Sequence, residues 1–455
     1  MSLVEEMGEF VARSAWEDVS EQARELLKVR VLDSIGCALG ALESEPVRMA
    51  RAQIDDFEGS RLCSLIGGGR TSPDHAALYN GALVRYLDFN DSYLAPGETC
   101  HPSDNIAPIL AAGQYAGAHG RDLLTAVAVA YQVQCRLSDE APVRARGFDH
   151  TTQGAYAVAA GVARVLSLDP SVAANAIAIS GTALNGLRVT RTGELSHWKG
   201  LAYPYTAFGA THAAFLAMRG ITGPREVFEG NKGFMESIAG RFDIDWSSEG
   251  LDAVTKTILK KYNAEIHSQS ALEAAIELRE QEAFTPDEIE AVEVDVFDVA
   301  YHIIGGGEEG DKTVVRTKEE ADHSLQYMIA VALIDGQVLP EQYAAERIRR
   351  DDVQSLLHRV VVTPEKDLSQ RFPQEHACRV RVRLRNGRVV AVEKRDYEGF
   401  HTRPMSSESV IEKFERLSES SADAALRKEI VDAVANLDRI DTASLVTLLE
   451  QVGQG

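Results

Sequence analysis

The chain has 455 residues, 45% of them hydrophobic and 25% charged, enough ordinary globular material for two or three domains and a large buried core. Lys and Arg number 47 against 69 Asp and Glu, a formal charge of -22; this argues against nucleic acid or an anionic membrane as partner and requires any cationic site to be local. The five cysteines, Cys37, Cys63, Cys100, Cys135 and Cys378, form no C-x-x-C pair, so no zinc or iron–sulfur framework is readable and reduced cytoplasmic thiols are expected.

The N-terminal stretch Met1-Ser2-Leu3-Val4-Glu5-Glu6 is acidic and amphipathic, unlike a signal peptide. From residue 7 to about 240 the pattern is mostly helical. Asp18-x-x-Glu21 reads as a capping box, after which Ala23, Leu27, Val31, Ile35 and Ala38 recur at helical spacing until Gly40. Gly67-Gly68-Gly69-Arg70 lacks the Lys-Ser/Thr of a phosphate-binding loop and reads as a turn. Further helices are expected at about Asp74–Leu87, Ile106–Ala118, Leu123–Ser138, Gln153–Leu166, Ser171–Ser180 and Tyr205–Arg219. The longest apolar run, about Leu123 to Val133, is too short to span a bilayer. Runs such as Ala111-Ala112-Gly113 and Ala159-Ala160-Gly161 let helix backbones approach closely.

After about Lys256 the character changes. Ile289 to Phe297 alternates with period two, and Arg379 to Val392 reads as a hairpin around Asn386-Gly387. Gly305 to Gly310 reads as a mobile surface loop able to gate a site. Helical periodicity returns from about Ser407 to Glu450. The expected fold is mainly α: a large all-helical domain formed by both ends of the chain (residues 1–255 and 403–455) plus a smaller inserted α+β lid (residues 256–402). No internal repeat or low-complexity tract is visible.

The densest polar island is Leu87-Asp88-Phe89-Asn90-Asp91-Ser92-Tyr93 followed by His101-Pro102-Ser103-Asp104-Asn105. Such groups are costly to bury unless paired or used. If the preceding helix continues, Asp88 and Ser92 share a face, with His101 returning on the next loop. A carboxylate near an imidazole supplies an acid–base pair near neutral pH, whereas Asp91, Asp104 and Asn105 serve equally well as helix caps. A second constellation, Arg188 to Gly200, carries Arg188, Arg191 and Lys199 beside Trp198 and suits either a carboxylate or water. A third, Lys260-Lys261-Tyr262-Asn263 with His267, lies where the two domains join in sequence, and domain junctions favour ligand clefts. Asp88, Asp91, His101 and Asp104 could hold a divalent ion, but their spacing imposes no octahedral geometry and no metal is assigned.

These segments, together with Arg191-Thr192-Gly193, Trp198-Lys199-Gly200 and Glu320-Ala321-Asp322-His323-Ser324-Leu325-Gln326-Tyr327, resemble the MmgE/PrpD family over nearly the whole chain. The resemblance implies a homodimer, no cofactor or metal, and a small polycarboxylate substrate that is dehydrated, decarboxylated or epimerised; the cytoplasmic location is expected from the cysteines and the N-terminal stretch. Carried over by motif position, catalytic residues fall on Asp88, Ser92, His101, Lys199, Lys260 and Tyr301, with Arg191, Lys261, Asp91 and His150 as substrate-binding groups. Ser92 replaces the Thr common in the family but keeps the hydroxyl. His101-Pro102-Ser103-Asp104-Asn105 and Ala321-Asp322-His323-Ser324-Leu325 resemble the branch that dehydrates 2-methylcitrate to 2-methyl-cis-aconitate. Decarboxylation of cis-aconitate, epimerisation, or a catalytically silent dimeric scaffold are the alternatives.

All three reactions remove or replace a group close to a carboxylate. Taking a proton from the carbon alpha to it adds a second negative charge, which Lys199, Lys260 and Arg191 can offset in a closed cleft. An imidazole with an ordinary pKa of about 6.5 needs little tuning as the base, while a carboxyl near about 3.9 needs desolvation. His101 is therefore expected to be the main proton-transfer residue and Asp88 its orienter or the second acid–base group, with the reverse assignment open. Ser92 and Tyr301 are expected to donate hydrogen bonds.

Overall fold

A computed structural model of the chain describes residues 1–57 and 59–453. The chain packs into two compact units, one formed by Met1–Thr190, Gly200–Thr257 and Ser406–Gly455, the other by Arg191–Lys199 and Ile258–Met405. The fold is mainly α with a small α+β part, and no helix among the described residues is long and apolar enough to cross a membrane.

The first unit is built from the helices that periodicity marks. Glu21–Gly40 buries Ala23, Leu27, Val31, Ile35 and Ala38. Its cap is Ser20, whose hydroxyl accepts from the Ala23 N–H at 3.2 Å; Asp18, expected there, instead closes the preceding turn by accepting from Ala15 N–H. Helices follow at Pro73–Tyr86, Ile106–Ala116, Gly120–Glu140, Thr151–Val165 and Pro170–Ala183. Small residues set their spacing: a Cβ on Gly161 would lie 2.5 Å from Ile109 Cδ1 and 3.0 Å from Ala130 Cβ. Trp198–Met218 contains Pro204 and starts about two turns before the expected Tyr205.

This unit is not purely helical. Cys63–Ser64 pairs with Arg70–Thr71 around the Gly67–Gly69 turn, and Tyr93–Ala95 pairs with Glu98–Cys100 around Gly97, which has φ 79°. The C-terminal segment is integral to it. Phe414 of helix Ser407–Ser418 lies against Gly36, and Gly120 N–H donates to Ile440 O at 2.9 Å.

The second unit carries a four-stranded sheet in the order Val360–Pro364, Ile289–Val296, Cys378–Leu384, Val389–Lys394. The two expected strand regions are present, with the hairpin turning at Gly387 (φ 86°). Val360–Pro364 was not expected, being a short apolar run that ends in proline. It pairs in parallel with Ile289–Val296 (Val292 opposite Val360), the crossover between them containing helix Leu325–Asp335. One face buries Val292, Val294, Val380 and Val382 against Leu272, Met328 and Ile329; on the other, Arg381 pairs with Glu293 and Asp295 across the strands at 3.0 and 2.8 Å.

A Cβ at Gly120 would lie 1.6 Å from Leu437 O, a backbone atom that cannot rotate away. Gly120→Ala is therefore expected to lower stability by at least about 2 kcal/mol in denaturant unfolding, by forcing the C-terminal segment off the helix start.

Candidate active site

In the first unit, helix Pro73–Tyr86 ends before Asp88, which adopts a left-handed φ of 55°. Asp88 and Ser92 accordingly do not share a helix face as expected. The chain turns outward into the Tyr93–Cys100 hairpin, whose return strand delivers His101 beside Ser92, with Oγ 3.1 Å from Nδ1. Left-handed backbone at a non-glycine residue persists only where the surroundings impose it. Here they do: the buried Arg85 donates Nη1 to Asp88 Oδ1 at 2.6 Å and to Asn90 Oδ1 at 3.3 Å, and its Nε lies 3.6 Å from Asp104 Oδ2. Asn90 in turn donates to Ser103 Oγ (2.9 Å) and Asp104 Oδ1 (2.7 Å). From the C-terminal helix, Lys413 donates to Phe89 O at 2.7 Å and pairs with Asp33.

The His101 ring is oriented by backbone. Its Nδ1 is 2.7 Å from the Asp91 carbonyl, which can only accept, so Nδ1 carries the hydrogen and Nε2 carries the lone pair of the neutral ring. Asp88 is held by Arg85, and the orienting bond on His101 comes from Asp91 O. His150 is edge-on to His101 with ring centroids 5.4 Å apart, stacks on Tyr203 at 5.9 Å, and has Nδ1 3.3 Å from Asp149 Oδ1. Ser92, His101 and His150 thus gather in one buried patch, and Asp88 is buried on Arg85.

Asp91, expected to bind substrate, has another task. Oδ1 accepts from Ser103 N–H at 3.0 Å, Oδ2 accepts from Tyr131 OH at 2.8 Å, and Arg30 Nε lies 3.6 Å from Oδ2. Burial raises its pKa against the pull of Arg30. Asn105 donates to Pro102 O and Gln134, and Tyr203 OH donates to Asn105 at 3.0 Å. Asp91, Asp104 and Asn105 hold the loop.

In the second unit, Arg191 is buried and donates to Lys199 O at 2.8 Å, bracing that segment. Lys199 Nζ is 2.5 Å from Asp322 Oδ1. Lys318 Nζ reaches Asp322 Oδ2 at 2.6 Å, and His323 Nδ1 reaches Oδ1 at 2.9 Å. Burial pushes the Asp322 carboxyl up, but the charges of Lys199 and Lys318 with His323 outweigh it and bring it far below the ordinary range. Lys260 is fully buried; the stretch after it is latched by Gln269, whose Oε1 accepts from Lys261 and Tyr262 N–H groups at 3.0 Å. Glu265 pairs with His267 at 2.7 Å, and although burial raises its pKa, His267, His323 and Lys260 bring it down to about 2.

Lys261, expected to bind substrate, is a partly exposed side chain paired with Glu398 at 2.7 Å, and Trp198 is 46% exposed. Tyr301 is half-buried at the start of a π-helical turn ending at Gly305. The glycine loop after it folds back on Tyr301 and His302 through Gly307 N–H and Glu309 N–H (3.1 and 3.0 Å), with Glu309 buried, so it is packed where an open surface loop was expected. Part of it and Gly193–Leu195 line a cleft of about 230 Å³ carrying Glu194, Glu309, Asp311 and Glu320 against Lys312 and Arg316, an acidic excess ill suited to a polyanion.

The profile of the MmgE/PrpD N-terminal domain matches residues 5–247 and that of the MmgE/PrpD C-terminal domain matches residues 262–439. The chain belongs to the MmgE/PrpD family. Its relatives include the 2-methylcitrate dehydratase of Escherichia coli strain K12, 30% identical over 72% of this chain and 71% of the relative, and that of Salmonella typhimurium, 28% identical over 76% and 74%. The cis-aconitate decarboxylase of Mus musculus is 25% identical over 93% of this chain and 88% of the relative.

For this MmgE/PrpD chain the residues missed in the sequence are those that hold others. Arg85 has a readable signal in the Arg85-x-x-Asp88 spacing, and Lys318-x-x-x-Asp322 is a helical ion-pair spacing. Glu265 has none, since its pairing with His267 depends on a short turn at Ile266–Ser268.

The low folded-state pKa of Glu265 means that its stabilisation is present above the unfolded value of about 4.5 and is lost as pH falls toward about 2. Glu265→Gln is expected to lower stability on the order of 3 kcal/mol at neutral pH, with the deficit shrinking between those limits when denaturant midpoints are measured across pH.

Proposed function

We propose that this protein is a hydro-lyase that dehydrates 2-methylcitrate, and with it citrate, by acid–base elimination without a metal. It is an enzyme of the lyase kind its relatives represent. The observation that carries the proposed mechanism is the fixed tautomer of His101: Nδ1–H on the Asp91 carbonyl makes Nε2 a base. His101 takes the proton from the carbon alpha to a carboxylate, electrons shift to form the double bond, and the hydroxide departing from the neighbouring carbon takes that proton from the His101 imidazolium and leaves as water, with Asp88 held ionised by Arg85. Carbon loses one proton and one hydroxide, and water is the coproduct.

Lys199 and Lys260, with Arg191 bracing the first, offset the charge that builds on the substrate carboxylates, and Ser92 and Tyr301 donate hydrogen bonds. His150 supports the His101 ring. Five buried free thiols suit the cytoplasm, and family resemblance supports a homodimer.

A second reading has its own support, because the decarboxylase relatives align over more of the chain than the dehydratases do. Incubation with 2-methylcitrate in the presence of a chelator is expected to release an enoate absorbing in the ultraviolet, and cis-aconitate is expected to yield no carbon dioxide. Product only with added iron or magnesium defeats the metal-free mechanism; carbon dioxide from cis-aconitate selects the second reading. His101→Gln is expected to lower kcat by roughly 10²–10⁴-fold.

A further inference from the structure

The Asp322 side chain is completely buried, and within its unit the charged groups facing it are Lys199 at 2.5 Å, Lys318 at 2.6 Å and the His323 imidazole at 2.9 Å. Glu265 meets it through backbone only, donating N–H to Asp322 O at 3.3 Å, while its own carboxylate is turned to His267. The two Asp322 oxygens are divided between the two lysines, Oδ1 to Lys199 and Oδ2 to Lys318. An ammonium buried with no carboxylate at all sheds its proton, so this carboxylate is what keeps the Lys199 charge in a buried place.

We propose that Asp322 is a positioning residue: its carboxylate holds the Lys199 ammonium oriented and protonated for a carboxylate of the substrate, and Lys318 competes for the same carboxylate. This rests on Lys199 being a substrate clamp, as proposed above, and names the group that makes it one. The two partners of Asp322 give the proposal a sign. Removing the carboxylate leaves Lys199 buried near Lys318, so the cationic form is lost at lower pH. Removing Lys318 deletes a like charge and leaves the carboxylate to Lys199, so the cationic form persists to higher pH.

The test uses the full-length protein, with citrate affinity by calorimetry and kcat and KM both followed across pH, and circular dichroism confirming that each variant is folded. Asp322→Asn is expected to weaken citrate binding and lower kcat/KM on the order of a hundredfold, and to move the alkaline limb of both to lower pH by at least about one unit. Lys318→Met is expected to move that limb upward, and Asp322→Glu to restore most of the loss. If Asp322→Asn does not fold, the direction of the Lys318→Met shift decides. Limbs that stay in place, or that move in the same direction in both variants, overturn the proposal, since a merely structural carboxylate changes stability alone. A wild type that binds no polycarboxylate overturns both this proposal and the clamp reading; wild-type binding with unmoved limbs overturns this proposal alone.

Discussion

A guanidinium with almost no access to water dictates the local shape of the first unit. Arg85 is 3% exposed, and an unpaired charge there would cost several kcal/mol. It takes Asp88 on one side and Asp104 on the other, and the intervening chain has to leave and return between those contacts. Asp88 is forced into left-handed backbone, the hairpin at Tyr93–Cys100 carries the chain out and back, and His101 arrives beside Ser92 with Nδ1 on the Asp91 carbonyl. The proposed base owes its tautomer to how that guanidinium is satisfied.

The second unit solves the same problem with the signs reversed. A buried carboxylate, Asp322, is surrounded by cations, and Glu265 serves the neighbouring Lys260 and His267 in the same way. In a chain of net charge -22, the buried Lys199 and Lys318 thus keep their charge beside a carboxylate of their own unit. Where the sign balance goes the other way, as in the cleft with Glu194, Glu309, Asp311 and Glu320, a polyanion has no reason to settle.

Elements governed by local periodicity were legible in the sequence: the Ala23-to-Ala38 helix, the alternating strand at Ile289 and the hairpin at Asn386-Gly387 all form. Elements governed by tertiary context were not. Val360–Pro364 is a strand because Ile289–Val296 offers it an edge, and Trp198–Met218 passes through Pro204 despite the proline. The polar island was visible as an island, and the family motifs name its members. Which charges face substrate and which face other side chains was not visible, because Asp91 with Arg30 and Tyr131, and Lys261 with Glu398, are partners distant in sequence. Arg85 and Asp322 are different: their pairs with Asp88 and Lys318 are three and four residues apart and carry a local signal, and only their second partners, Asp104 and Lys199, are distant in sequence.

The central claim is that His101 Nε2 exchanges the proton alpha to a carboxylate, and isotope exchange tests it without regard to which product forms. Wild type and His101→Gln are incubated with 2-methylcitrate in deuterium oxide and the carbon-bound proton is followed by NMR. The account predicts deuterium at the carbon alpha to a carboxylate with the wild type and a rate lower by about 10²-fold or more with the variant. Equal exchange by the two proteins contradicts it.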